Sequence, residues 1–211
     1  IVADAPPEGQ VFDVWTGDVA NVADINSDST TITMPAAKAD VTATYRPITY
    51  AVTFDLAGKG ERTGGGELVQ QVDHGGAATA PEVTANAGWI FTGWDKSFDN
   101  VTGPLTVTAQ YDPVLYTLTV NSGSGSGNYA AATVVPVVAN APPEGQVFDA
   151  WTGDIANLAD VNAASTTVTM PAADVEITAT YRVAVYTVTF QTDGTSGASL
   201  TGATVQTVIH G

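Results

Sequence analysis

Two short segments carry enough side-chain oxygen to suggest cation binding. Their acidic and amide residues recur at matching positions, namely Asp18, Asn21 and Asp24 in the first segment and Asp154, Asn157 and Asp160 in the second. Ca²⁺ takes about six to eight oxygen ligands, which such side chains can supply. Neither segment has the central glycine of an EF-hand loop, and Asp and Asn are also ordinary turn residues. Calcium is one interpretation, and the sequence favours plain turns without a metal.

A second candidate chemistry is stacking of aromatic side chains on sugars or protein surfaces. A Phe-x-x-Trp pair occurs three times, at Phe12/Trp15, Phe91/Trp94 and Phe148/Trp151. Each aromatic side chain buries roughly 150–250 Å², so a pair that recurs with every repeat is better explained as the core of a small module. Trp89 differs, because its counterparts are Gln10 and Gln146. Since glutamine is readily solvated, Trp89 is predicted to be partly exposed and is the candidate ligand contact.

No residues in the sequence indicate catalysis. His74 and His210 occupy equivalent positions, each followed by glycine, and neither has the cysteine or carboxylate companions of a zinc site. The sequence contains no Ser-His-Asp arrangement, nucleophile elbow or P-loop. We therefore predict that both histidines flank turns, and that the chain has no enzymatic activity and no cofactor.

An internal repeat provides the elements that position these residues. Residues 1–75 align with residues 137–211 at an offset of 136 without a gap, and such a tandem duplication indicates a structural array before it indicates an enzyme. Within this period, each module opens with Tyr-x-(Val/Leu)-Thr-(Phe/Val) and closes with Thr-Ala-x-Tyr. The predicted domains are the back half of an A-type module (1–45), a complete B-type module (50–111), a complete A-type module (116–181) and the front half of a B-type module (186–211).

The predicted fold class is mainly β. Apolar residues alternate with threonine, as in Val41-Thr-Ala-Thr-Tyr45, which is typical of half-buried strands. Clusters of Gly, Ser, Asn and Pro mark turns, and each oxygen-rich segment has room for a single helical turn. Four-residue junctions at 46–49, 112–115 and 182–185 separate the modules. Such short junctions predict a semi-rigid, elongated array of small antiparallel modules joined end to end.

Composition excludes several classes of function. The net charge is −16, and the six cationic side chains form no basic stripe. Neither nucleic acid nor an anionic membrane surface is therefore a suitable partner. The chain has no cysteine, which excludes disulfides and thiolate metal sites. The sequence contains no long apolar run, so no membrane insertion is expected in this segment.

The motifs of the modules resemble a known repeat family. The B-type motifs are YAVTF at 50–54, VDHG at 72–75, GWIFTGWD at 88–95 and LTVTAQY at 105–111. The A-type motifs are YTLTVNSGSGSG at 116–127, GQVFDAWTGD at 145–154 and TTVTMPAADVEITATY at 166–181. These resemble the internalin-type B-repeat, also called the Listeria–Bacteroides repeat, and a related bacterial surface repeat. The resemblance implies a β-grasp-like, mostly antiparallel module of exported bacterial surface proteins, often in the stalks of adhesins.

The combined expectation is a non-enzymatic structural segment: a stalk, spacer or fibre subunit of an extracellular bacterial surface protein or adhesin. The alternative is a module that binds a glycan or protein, such as a host or cell-surface ligand, through Trp89 and nearby loops. The expected partners are adjacent modules or neighbouring copies in a head-to-tail fibre. Each half-module lacks partners for its buried strands, so we expect either a longer polymer or a neighbouring chain to complete it.

Overall fold

The computed structural model describes residues 1–194, 199 and 201–209. Its contacts divide the chain into two compact units, residues 1–112 and 113–211. The described residues are mainly in strands, and no α-helix occurs among them, which confirms the predicted class. Short 3-10 turns at Val19–Asn21 and Ile155–Asn157 lie in the two oxygen-rich segments, where single turns are predicted.

The first unit contains the predicted back half of an A-type module and the predicted complete B-type module. Its strands are β1 (Gln10–Gly17), β2 (Val41–Pro47), β3 (Thr49–Asp55), β4 (Gly60–Gly65), β5 (Val69–Asp73), β6 (Pro81–Ala85), β7 (Trp89–Trp94) and β8 (Leu105–Pro113). Strands β1 and β2 form an antiparallel pair, as do β4 and β6. The remaining four strands form one sheet in the order β5-β3-β8-β7.

The second unit contains the predicted complete A-type module and the predicted front half of a B-type module. Its strands are β9 (Leu115–Asn121), β10 (Gly123–Ser124), β11 (Gly127–Ala130), β12 (Val134–Ala139), β13 (Gln146–Gly153), β14 (Ser165–Thr169), β15 (Val175–Val183), β16 (Val185–Thr189) and β17 (Val205–Ile209). One sheet has the order β11-β9-β15-β13 and another the order β10-β12-β14, while β16 pairs with β17.

Each complete module has one parallel pair at the centre of its larger sheet, within a module that is otherwise mostly antiparallel. Strands β3 and β8 run parallel with Val52 opposite Leu105, and β9 and β15 run parallel with Leu118 opposite Val175. The opening and closing strands of a module are far apart in sequence. The intervening strands therefore serve as the long crossover that a parallel pair requires.

Alternating burial along the closing strands explains why they occupy the middle of the sheet. In β15, Val175, Ile177 and Ala179 are buried, whereas Glu176 is exposed. These residues join Trp151 and others in the core of the complete A-type module. A separate core, which includes Val52, Phe54, Val72 and Val107, lies in the complete B-type module. Each of these two modules therefore has its own hydrophobic core.

The junctions are shorter than the sequence suggests. Strand β2 ends at Pro47 and β3 begins at Thr49, so Ile48 alone separates them. Likewise, Ala184 alone lies between β15 and β16. The strands extend into the predicted four-residue junctions because the backbone there continues to find hydrogen-bond partners, as in the Gln10–Pro47 pairing of β1 with β2.

Candidate functional site

The Phe-x-x-Trp pairs of the A-type modules sit on β-bulges. In β13, Phe148 lies opposite Tyr181, but Trp151 lies opposite Ala179, so β13 carries one extra residue between them. Residues three apart would face opposite sides of a regular strand, and the bulge brings both onto the core face. The extra residue remains satisfied, because the Thr180 hydroxyl donates to the Ala150 carbonyl at 2.7 Å.

These aromatic pairs contribute to the module cores, as predicted. Trp151 is 1% exposed and Trp15 is 6% exposed. The indole N–H of Trp15 donates to the Ser27 carbonyl at 2.9 Å, and that of Trp151 donates to the Ala163 carbonyl at 2.9 Å. Each indole therefore fills a core and also holds the loop that follows it, which leaves neither free to stack on a sugar.

The candidate calcium residues lie in those loops, where their carboxylates accept backbone hydrogen bonds. Asp24 accepts from the Asn26 N–H at 2.9 Å and Asp160 from the Asn162 N–H at 2.8 Å, which is the usual Asx-turn arrangement. Asp18 and Asp154 instead accept from the N–H groups of Asp40 and Glu176, which precede or lie in the closing strands, at 2.9 Å each.

The two asparagines of the calcium set, Asn21 and Asn157, end the 3-10 turns. The backbone carbonyl of Asn21 accepts from the Thr33 N–H at 2.9 Å. In the described part of the chain, no three His, Cys, Asp or Glu side chains converge in a way that would hold a metal ion. The structure therefore gives these six residues roles in turns and strand ends.

Trp89 is half-buried, consistent with the partial exposure predicted from its glutamine counterparts. Lys59 Nζ lies 3.6 Å from the centroid of its ring, a cation–π contact. Asn86 positions the two turns that carry these residues, since its N–H donates to the Lys59 carbonyl at 2.8 Å and its side-chain amide to the Gly58 carbonyl at 3.2 Å. No local pattern in the sequence indicates Lys59, because this contact joins two separate hairpin ends.

The joint inside the first unit is a feature that the sequence analysis missed. The Ile48 N–H donates to the Gly9 carbonyl at 2.8 Å, and the Ile48 carbonyl accepts from the His74 N–H at 2.7 Å. The His74 ring packs against Gly9, where a Cβ would overlap it, and Gly9 has a φ of +74°. Tyr50 Oη lies 3.5 Å from His74 Nδ1. We name Gly9, Ile48 and His74 the module joint.

One hydrogen bond of this joint recurs at the matching place in the second unit. The Ala184 N–H donates to the Gly145 carbonyl at 2.8 Å, and both residues are offset by 136 from Ile48 and Gly9. His210, the counterpart of His74, lies outside the described residues. His74 therefore has a positional role beyond flanking a turn. The repeated His-Gly motif, read together with a distant glycine at a fixed offset, is the signal that could have indicated it.

No helix in the described part of the chain has the length and apolar character needed to cross a membrane.

Comparison with known proteins assigns the modules to repeat families. Residues 1–49 and 116–184 match the family described as the divergent InlB B-repeat domain. Residues 50–117 match the family described as the Listeria-Bacteroides repeat domain. No curated protein and no solved structure matches the chain. The boundaries of these matches fall close to the module joint and to the ends of the complete modules.

Proposed function

Because the chain belongs to the family of InlB B-repeat and Listeria-Bacteroides repeat domains, we propose that it is a structural segment of an extracellular bacterial surface protein. Its role is that of a stalk, spacer or fibre subunit, built from β-grasp-like modules joined end to end. Repeats of this type occur in bacterial surface proteins, which supports a location at the cell surface or in the secreted fraction. The central parallel pair of each larger sheet supports the β-grasp-like description.

The observation that carries the proposal is the module joint. Ile48 alone connects β2 to β3, and its two backbone groups bond to different modules: its N–H to Gly9 and its carbonyl to His74. A residue whose backbone is hydrogen-bonded to both modules cannot act as a flexible hinge, so these two modules keep a defined relative orientation. A segment whose joints are short and bonded holds a distance better than one with flexible linkers.

Small-angle scattering of the chain, with joint variants, tests this role. We expect a radius of gyration well above the roughly 17 Å of a compact domain of this length. Gly9→Ala should loosen the joint and widen the distribution of dimensions, because the new Cβ meets the His74 ring. Gly88→Ala is the matched control, since Gly88 also has a positive φ but has no atom within 4 Å of the added Cβ.

Two results would contradict the structural role. The first is a radius of gyration near the compact value for the unmodified chain. The second is an equal distribution of dimensions for Gly9→Ala and Gly88→Ala, which would mean that the joint does not control the arrangement of the modules.

A second candidate function is binding of a glycan or protein at Trp89. The half-exposed indole offers an apolar contact at the start of β7. Lys59 covers one part of the ring, which limits the area left for stacking. A glycan array probed with the chain and with Trp89→Ala tests this function: binding that is lost in the variant supports it, and the absence of binding to any glycan counts against a glycan ligand.

The proposal assigns the chain no enzymatic activity, no cofactor and no nucleic-acid partner, and each of these stays a prediction from the sequence.

A further inference from the structure

Lys59 is held in a different way from the other cationic side chains. Five of the six lysine and arginine side chains form ion pairs with carboxylates, and these five are Lys38, Arg46, Arg62, Lys96 and Arg182. Lys59 has no carboxylate within 4 Å among the described residues, and its Nζ lies 3.6 Å from the centroid of the Trp89 ring. The complete B-type module therefore presents an ammonium group without an anionic partner in the described part of the chain.

The Lys59–Trp89 pair occurs in the complete B-type module, and the fold does not depend on it. In the A-type segments, Gln10 and Gln146 occupy the position of Trp89. The complete A-type module nevertheless forms a sheet of the same order, since β11-β9-β15-β13 corresponds to β5-β3-β8-β7. A surface pair that the sheet does not require is available for binding.

Two hydrogen-bonded turns position this pair. The Lys59 N–H donates to the Leu56 carbonyl at 3.1 Å, and the Trp89 N–H donates to the Asn86 carbonyl at 3.1 Å. Asn86 joins the two turns, because its own N–H donates to the Lys59 carbonyl at 2.8 Å. A ligand would therefore meet a site whose backbone is already in place, which lowers the entropic cost of binding.

The space around the pair is open. Gly58 and Gly88 directly precede the two residues, and a Cβ added at either glycine would have no atom within 4 Å. The Trp89 side chain is half-buried, and its indole N–H has no acceptor among the described residues, whereas those of Trp15 and Trp151 donate to backbone carbonyls. The pair therefore offers an ammonium group, an apolar ring and an N–H donor side by side.

We propose that Lys59 and Trp89 bind an acidic sugar, such as the uronic acid of an anionic glycan. The carboxylate of the sugar accepts hydrogen bonds from Lys59 Nζ, and such charge-assisted bonds are stronger than bonds between neutral groups. The apolar face of the sugar ring contacts the exposed part of the indole. The inference rests on the second function proposed for Trp89 and specifies the class of glycan.

The size of the site favours a sugar over a protein partner. A stable protein complex buries roughly 800 Å² on each partner, whereas a fully buried aromatic side chain contributes only roughly 150–250 Å². The acidic residues nearest to Lys59 in the sequence, Asp55 and Glu61, are exposed and would repel a broad acidic protein surface. The site instead matches one sugar ring that carries one carboxylate.

An NMR titration of the isotope-labelled whole chain with two sugars measures the binding. The methyl glycosides of glucuronate and glucose are matched, because they differ only in carrying a carboxylate or a hydroxymethyl group on the same ring carbon. At about 0.15 M salt the Debye length is about 8 Å, which limits repulsion from the net charge of −16. We expect the glucuronide to shift the Trp89 indole signal and to bind about fivefold more tightly than the glucoside, the upper end for an exposed ion pair.

Variants separate the contributions of the two side chains. Lys59→Gln removes the charge and should lower the affinity for the glucuronide to that for the glucoside. Lys96→Gln is the control, because it removes a lysine charge of the same module beyond the other end of β7 and should leave the fivefold preference intact. Trp89→Gln introduces the residue of the A-type segments. Its spectrum identifies the indole signal by its loss, and binding of both sugars should be abolished.

Three results would overturn the inference. Equal affinity for the two sugars, with both lost in Trp89→Gln, would refute the acidic ligand while leaving a glycan site at Trp89 in place. Equal affinities of Lys59→Gln and Lys96→Gln for the glucuronide would refute the role of Lys59. No shift with either sugar, or a shift only with an acidic peptide, would also refute the inference. The glycan array then decides separately whether another glycan binds, so the two proposals fail independently.

Discussion

Replacing the two equivalent methionines by alanine should give very different losses of stability. Met170 and Met34 have the same sequence neighbours, Thr on one side and Pro on the other, yet one is 2% exposed and the other 66% exposed. The comparison thus holds the residue and its local sequence constant and varies only the burial. It isolates the contribution of the strands that cover the core of a complete module.

The expected magnitude follows from what Met170 contacts. It belongs to the core cluster that contains Leu118, Trp151 and Ile177, so its truncation leaves a cavity between strands that cannot easily collapse. Met→Ala at such a site costs about 2–5 kcal/mol, and even 2 kcal/mol is a roughly 30-fold change in the folding equilibrium. Met34→Ala should change the free energy of unfolding by no more than about 0.5 kcal/mol, as most surface substitutions do.

Native-state hydrogen exchange read by mass spectrometry is the appropriate assay, because it assigns an opening free energy to each module in the whole chain. Peptides from residues 116–183 report on Met170→Ala, and peptides from residues 10–47 report on Met34→Ala. Both variants are measured at the same low concentration.

The reasoning would be refuted by a loss of less than about 1 kcal/mol for Met170→Ala, a value below the range for core truncations. It would equally be refuted if Met34→Ala destabilised residues 10–47 of the monomer as much as Met170→Ala destabilises its own module.

Four further predictions concern the aromatic residues and the loops. Trp151→Ala should destabilise its module by about 3–5 kcal/mol in urea unfolding, and Trp89→Ala should cost far less; a stable Trp151→Ala chain would contradict the core assignment. Tyr181→Phe should lower the free energy of unfolding by about 0.5–1.5 kcal/mol, because the Tyr181 hydroxyl donates to backbone carbonyls. The buried Tyr111 hydroxyl has no partner among the described residues, so Tyr111→Phe should be neutral or stabilising. Burial, and to a lesser extent the nearby Asp55 carboxylate, raises the pKa of the Tyr111 hydroxyl. Because the unfolded chain then loses this proton first, the stability of residues 50–111 should fall as the pH rises above about 10 and through the raised pKa. Tyr111→Phe should reduce this decline. Ca²⁺ or a chelator should leave the melting temperature unchanged in calorimetry, because the loop carboxylates already accept backbone N–H groups; a clear rise with Ca²⁺ would restore the calcium interpretation.

The features that could be predicted from the sequence are those that a local pattern determines. Alternation of Thr with apolar residues placed the strands, and recurrence of Phe-x-x-Trp indicated buried indoles, of which Trp151 is the fullest case. The 3-10 turns fall in the oxygen-rich segments, where single turns were expected. Each of these depends on neighbours within a few residues or on the repeat itself.

The features that the sequence did not indicate join residues far apart in the chain. The parallel pairing of Val52 with Leu105 depends on the path of the intervening strands, and no periodicity encodes that direction. The contact of Lys59 with Trp89 joins two hairpin ends, and the packing of His74 on Gly9 joins two modules. The bulge between Phe148 and Trp151 was not predicted either, although their spacing could have indicated it, because residues three apart share a face only when a strand carries an extra residue.

The central parallel pair has a consequence for a chain under mechanical load. The chain enters a complete module through its opening strand and leaves through its closing strand, and these two strands lie side by side and run in the same direction. Tension applied to the two ends of a module therefore pulls the strands in opposite directions along their length. Their hydrogen bonds are loaded together, in shear, rather than one after another as in unzipping. We expect such a module to resist stretching more strongly than a hairpin of equal stability.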